Sequence, residues 1–256
     1  MRILTCLKQV AEPDSQFDLA GGRARLRPSA RRKMSSFDEF ALEEGLRLKQ
    51  ALPGSQVWAL TVGPAEAVAV LQRALGMGAD QAAHILAPEE PQPRPASLAA
   101  WIAGWARTMS FDLVLAGVMS EDAMQGQVGP LLAHELGLPW ATSVVGTQAM
   151  EGGRALRVER EMEGGLRQLL EMPLPAVLTI QSSLNRPRYP SLSNLLRAKQ
   201  TKPLTMEAAG LAAPPEREAV VGAHLPRKTR AGLVLRGSTA DKAASLLGLL
   251  RERALL

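Results

Sequence analysis

The chain has 256 residues, 46% of them hydrophobic and 21% charged, enough to bury a sizeable core. No apolar run approaches the ~20 residues that span a bilayer, and the opening "MRILTCLKQV" is short, broken by polar residues and followed by Glu12, so neither a membrane span nor a signal peptide is expected. The net charge of +5 invites a nucleic-acid partner, but aromatics total only 4% and the basic cluster Arg23, Arg25, Arg27, Arg31, Arg32 and Lys33 has none interleaved with it. No nucleic acid is expected, and one cysteine, Cys6, excludes an internal disulfide. A cytoplasmic protein is the reading.

Along the chain, "RILTCLKQV" reads as a strand and a polar loop follows. "SSFDEFALEEGLRLKQALPG" reads as a helix, with Ser36 as N-cap, Glu39 as capping-box partner and Pro53-Gly54 as the stop. "SQVWALTVG" is a second strand, and Pro64 opens a helix running to Met77-Gly78. "AAHILA" is a third strand, "PEEPQPRP" a loop, Ala96 to Thr108 a helix, and "DLVLAG" a buried strand. Near-continuous apolar strands alternating with helices predict a parallel sheet covered on both faces, an α/β Rossmann-like fold.

Ligands of such sheets lie beyond the carboxyl ends of the strands. That places Cys6 to Val10, Val62-Gly63-Pro64 and the segment from Gly117 onward along one rim. The last of these feeds a helix starting near Gln127, where backbone N–H groups and the helix dipole favour a phosphate. Further on, "ALRVEREMEGGLRQLLEM" alternates, turns at Gly164-Gly165 and alternates again, a β-hairpin, and "LPAVLTIQ" is a last core strand. Residues 1–203 read as the nucleotide-binding α/β domain. Residues 204–256 read as an extended arm ending in an amphipathic helix, capped by Ser238 or Thr239, that packs on a partner subunit.

The chain lacks the usual signatures of catalysis. His84, His134 and His224 have no metal-ligand spacing, and Cys6 sits inside a strand as a small apolar residue. There is no G-x-S-x-G elbow, no G-x-x-x-x-G-K-[ST] loop, no G-x-G-x-x-G after the first strand and no SGGxDS loop. An α/β nucleotide-binding type of scaffold without the residues for covalent or acid–base catalysis is the reading. One segment stands out: "LNRPRYPSLSNLLRAK", Leu184 to Lys199, lies in a stretch from Met172 to Met206 without an acidic residue.

Several segments together resemble the β subunit of electron transfer flavoprotein. They are "LKQV", "FDEFALEEGLRLK", "VGPAEA", "ALGMGAD", "GQVG", "VEREMEGGL", "LPAVLT" and "LNRPRYPSLSNLLRAK", in the family's order over residues 1 to about 205. The resemblance implies a heterodimer with an α subunit that carries most of a FAD site. It implies single-electron transfer from acyl-CoA dehydrogenases or other flavin dehydrogenases to a membrane quinone oxidoreductase. It also implies a second nucleotide in this subunit, bound by Cys6, by Ser35, Ser36, Phe37 and Asp38, by Val62, and by the loop Gly117, Val118, Met119, Ser120, Glu121, Asp122, Ala123, Met124, Gln125, Gly126, Gln127 and Val128.

By the same resemblance Glu161 approaches the flavin, and Leu192 anchors in a pocket of the dehydrogenase with Arg188, Tyr189, Arg197 and Lys199 around it. The departures bear on the second nucleotide. Ser35-Ser36 stands where the family usually has Asn-Pro, and "SEDAMQGQVG" replaces an aspartate run with Asn-Gln-Thr-Gly. AMP is expected. Gln127-Val128-Gly129-Pro130 also resembles electron-bifurcating and nitrogen-fixation relatives, whose β subunit holds a second FAD that meets NADH. A nucleotide-sensing or nucleic-acid-binding module on the same scaffold is the remaining alternative, and it leaves "LNRPRY" unexplained.

Overall fold

The structure, a computed structural model, describes residues 1–12, 17–20, 23–27, 29–89, 92–216, 218–224 and 232–255. Parts of the polar loop after the first strand, of the proline-rich loop and of the arm lie outside the described residues, as do the side chains of Arg23 and Arg25. The strands are β1 (Arg2–Leu7), β2 (Gln9–Ala11), β3 (Phe17–Ala20), β4 (Arg23–Leu26), β5 (Arg32–Met34), β6 (Gln56–Gly63), β7 (Gln81–Leu86), β8 (Leu113–Gly117), β9 (Trp140–Ala149), β10 (Ala155–Glu161), β11 (Arg167–Pro173), β12 (Ala176–Ile180) and β13 (Leu204–Glu207). The helices are α1 (Ser36–Ala51), α2 (Val68–Met77), α3 (Pro95–Met109), α4 (Val128–Leu136), α5 (Leu192–Gln200) and α6 (Thr239–Glu252).

The main sheet has nine strands in the order β11-β10-β9-β12-β8-β1-β6-β7-β13. From β9 through β12, β8, β1, β6 and β7 to β13 the pairings are parallel, and β10 and β11 add an antiparallel hairpin at one edge. The expected α/β sheet and its hairpin are therefore present. The order reverses at β1: the chain steps outward through β6 and β7, then returns with β8 on the other side. That reversal opens a crevice at the carboxyl ends of β1 and β8.

Both faces are covered. Ala41, Leu42 and Leu46 of α1 and Val70, Leu71 and Ala74 of α2 pack one apolar cluster against Ile3, Val57, Leu113 and Leu178. Ala99, Ile102 and Ala103 of α3 and Leu132 and Ala133 of α4 pack the other against Leu4, Leu60, Val114 and Val177. Alternate residues of each strand thus go to opposite clusters, which is why the strand sequences are apolar without interruption. Trp58, Trp105 and Phe111 stack in the second cluster with centroids 5.5 to 6.1 Å apart.

Some elements differ from expectation. Ser36 is the first residue of α1, not its cap; Ser35 holds the cap position without a side-chain hydrogen bond. The Ser36 hydroxyl is instead committed to Glu121, and Glu39 pairs with Arg73 at 2.8 Å. Strand β9 and the small antiparallel ribbon of β2 and β5 were not foreseen, nor were β3 and β4, which form their own two-stranded sheet. Leu204–Glu207, read from sequence as the start of the arm, pairs with β7 and belongs to the sheet. A separate compact unit comprises Leu19–Ala24 and Val221–Leu256. Within it, α6 begins with a capping box in which Ser238 and Asp241 exchange hydrogen bonds.

Close approach fixes one glycine in the core. A Cβ on Gly129, in the first turn of α4, would land on Cγ2 of Thr179 in β12. Gly129→Ala is expected to cost about 1–3 kcal/mol by overpacking, and Thr179→Ser in the same chain to recover most of it, as read by urea denaturation.

Candidate functional site

The crevice between β1 and β8 is closed by a single carboxylate. Asp38, in the first turn of α1, accepts the backbone N–H of Lys8 at 2.7 Å and that of Gly117 at 3.0 Å. Lys8 follows the last residue of β1 and Gly117 is the last of β8, so Asp38 joins both lips of the crevice. The fit leaves no room for a side chain: a Cβ on Gly117 would stand 2.6 Å from Asp38 Oδ1 and from Phe37 Cβ. Burial raises the Asp38 carboxyl to about 7, against the opposing pull of its two backbone hydrogen bonds and of Lys8. Cys6, one strand position before the rim, is a buried thiol pushed up by burial and by the Asp38 charge. It is no nucleophile in that state.

Around this pair the rim is charged. Lys8 Nζ reaches Asp122 at 2.8 Å and Ser120 Oγ at 3.3 Å. Glu121 accepts from Ser36 N–H at 3.2 Å and from Ser36 Oγ at 2.8 Å, and lies 3.0 Å from Lys33 Nζ. Burial would raise both carboxyls, yet Lys33 and Ser36 hold Glu121 below its ordinary value and Lys8 does the same for Asp122. Ala123, Gln125, Gly126 and Gln127 are exposed, as is Met124, and Met124 and Gly126 adopt positive φ. Val62 ends up half-buried near the close of β6, on the same rim.

The structure therefore brings Cys6, Ser35 to Asp38 and the Gly117 to Val128 loop together, with Val118 N–H bonded to Ile180 of β12. With Lys8 and Lys33 paired to Asp122 and Glu121, what suits an anionic nucleotide is the first turn of α4, which has no side-chain cap at Gln127. Ser35 Oγ and Thr179 Oγ1 are buried without a hydrogen-bond partner among the described residues. No group of three or more His, Cys, Asp or Glu side chains among the described residues is placed to hold a metal.

The remaining predicted residues fall elsewhere. Glu161 is exposed at the hairpin end of β10, opposite Arg167 of β11 and with Gln181 Nε2 at 3.5 Å. The basic segment folds back on α1. Arg188 is clamped to buried Glu43 through its backbone N–H at 3.1 Å, its Nε at 2.9 Å and its Nη2 at 2.8 Å. Asn185 Nδ2 bonds Glu44 and the carbonyl of Phe40, both at 3.0 Å. Arg188 is thus a clamp, its charge answered within the protein, whereas Arg197 and Lys199 stay exposed.

Beyond the clamp, α5 is capped by Ser191 and lies on α2, where Leu195 fits against Gly76. Tyr189 is 89% exposed, Leu192 73% and Leu196 55%. Leu196 was missed, because a helix there was not foreseen and the i, i+4 pairing with Leu192 needs one. Glu43, Glu44, Asn185 and Lys33 were also missed, and Lys8, expected on the rim, was not expected to pair with Asp122. The signal for the first two was two adjacent acids within the apolar stripe of α1.

The Asp38 carboxyl has a testable sign. Its pKa in the folded chain lies above the ordinary 3.8, so its stabilising contribution is complete below that value and is lost as pH rises towards about 7. The stability difference between wild type and Asp38→Asn is expected to shrink between pH 5 and pH 8 in urea titrations. A difference that grows with pH would make the ionised carboxylate the stabilising form.

Comparison with known proteins completes the picture. Residues 26–212 match the electron transfer flavoprotein domain family. The chain is 32% identical to the electron transfer flavoprotein subunit beta of Bacillus subtilis (strain 168), over 99% of both chains. It is 33% identical to the mitochondrial subunit beta of Oryza sativa subsp. indica, over 92% of this chain and 93% of that one. It is 34% identical to subunit beta of Homo sapiens, over 79% of each. The family match over residues 26–212, together with likeness across nearly the whole length, shows that the chain belongs to the electron transfer flavoprotein family as a β-type subunit.

Proposed function

We propose that this chain is the β subunit of a heterodimeric electron carrier. It pairs with an α subunit, forms one wall of a FAD site, and passes single electrons from acyl-CoA dehydrogenases or similar flavoenzymes to a membrane quinone oxidoreductase. FAD supplies the redox chemistry; this chain supplies orientation, electrostatics and docking. A cytoplasmic setting is part of the reading, and among the described residues no helix is long and apolar enough to cross a membrane.

The observation that carries the proposal is the presentation of α5. Buried Glu43 and Glu44 hold Arg188 and Asn185, and the helix that follows packs on α2 at Gly76 with Leu192 and Leu196 uncovered and Arg197 and Lys199 exposed beside them. Exposed leucines on a fixed helix can fill a pocket as hot spots, while free cations steer encounter with an acidic partner. A small contact of this kind releases quickly, as a carrier visiting several donors requires. Glu161 is proposed as the hairpin carboxylate nearest the flavin, and the region after Pro203, with α6, as the part that packs on the α subunit.

AMP is the proposed occupant of the rim. The Gln127-Val128-Gly129-Pro130 run favours a second reading, a bifurcating subunit with a second FAD. Acid extraction of the purified heterodimer separates the two. One FAD with one AMP is expected; two FAD, bleached by NADH, would select the second reading, and a complex without flavin absorbance would sink both. Leu192→Ala and Leu196→Ala are each expected to slow reduction by the dehydrogenase roughly tenfold or more, with FAD content unchanged. Loss of flavin in either would mean that α5 has a structural role instead.

A further inference from the structure

A loop that must gather around a ligand binds better if it is ordered beforehand, because the entropy of ordering is then not charged to binding. Gly117 to Gln127 is such a loop, and from Asp122 onward it is exposed. Two carboxylates tie its first half to elements across the crevice. Glu121 meets α1 at Ser36 and β5 at Lys33. Asp122 meets Lys8, between β1 and β2. The β2–β5 ribbon holds the two lysines in place, with Gln9 opposite Met34 and Val10 opposite Lys33.

Glu121 does more than pair with a lysine. The Ser35 cap makes no side-chain hydrogen bond, so the exposed N–H of Ser36 and the positive end of α1 are answered by Glu121 from another part of the chain. Charge-assisted bonds of this kind are stronger than exposed surface pairs, and the side chains of Lys33 and Glu121 are 32% and 26% exposed.

We infer that Glu121 and Asp122 are positioning residues that latch the rim loop across the β1–β8 crevice, their carboxylates used within the protein and not on the nucleotide. The latch leaves the loop backbone and the first turn of α4 to meet the ligand. This deepens the reading of the rim as a nucleotide site and rests on it only for its second measurement.

The test uses the full chain, purified with its partner and freed of bound nucleotide. Hydrogen exchange is measured first, with no nucleotide added. Glu121→Gln and Asp122→Asn are each expected to speed exchange of the amides of Gly117 to Gln127 about tenfold, while protection in β1 and β8 stays as in wild type. The reversed pair Lys8→Asp with Asp122→Lys is expected to restore slow exchange. Exchange at the wild-type rate in both single variants would overturn the latch, and so would a reversed pair no slower than Asp122→Asn. AMP titration follows, with Kd expected to weaken several-fold in the single variants. A wild-type chain that binds neither AMP nor FAD would remove the nucleotide reading alone, since the exchange measurement reads the latch without a ligand.

Discussion

A parallel sheet that reverses its strand order leaves two neighbouring strand ends whose connections depart in opposite directions, and something must hold those ends together. Here it is the Asp38 carboxylate, which accepts one backbone N–H from the end of β1 and one from the end of β8. The geometry demands a glycine at 117, because any Cβ would collide with Asp38 and Phe37. It also places an acid in a buried position that disfavours its charge. The rim is therefore held by a carboxyl whose burial raises its pKa, and the loop from Gly117 to Val128 starts from that fixed point.

Helix α1 serves two functional regions at once. Its first turn supplies Ser36 and Asp38 to the rim. Its middle supplies Glu43 and Glu44, buried acids that are tolerable because each is hydrogen-bonded to partners from the "LNRPR" segment. Glu44 also accepts from Thr147 Oγ1 of β9 at 2.5 Å. One helix thus ties the rim, the Leu184–Lys199 segment and the strand next to the hairpin into one framework. Removing either glutamate would leave a half-buried cation or amide without its carboxylate and loosen the segment that leads into α5.

The excess positive charge has a local explanation. Lys8 and Lys33 are spent on the rim loop, Arg73 on Glu39, Lys49 on Asp80 and Arg188 on Glu43. What stays exposed on α5 is a short apolar stripe with Arg197 and Lys199. A surface of that composition suits brief contact with an acidic protein better than a nucleic-acid backbone, which calls for a continuous basic track.

Much of this was legible in the residues. The apolar strands "RILTCL", "VWALTV" and "LVLAG", the hairpin glycines Gly164 and Gly165, and the ordered family segments suffice for an α/β sheet, a carboxyl-end rim and an electron-carrier subunit, because period and turn chemistry are local properties. The helical form of Leu192–Gln200 was hidden, since Pro187 and Pro190 precede it and its stability comes from packing on α2 at Gly76. The partners of the charges were hidden as well. That Asp38 spans β1 and β8, that Glu121 caps a helix 85 residues away, and that Glu43 holds Arg188 across 145 residues are pairings at long sequence separation. Composition and spacing alone determined which residue types were available for a switch-point site. Only the tertiary structure decided which of them meet at the rim, which stay exposed and which pair with each other, because a hydrogen bond depends on where the folded backbone brings its two ends.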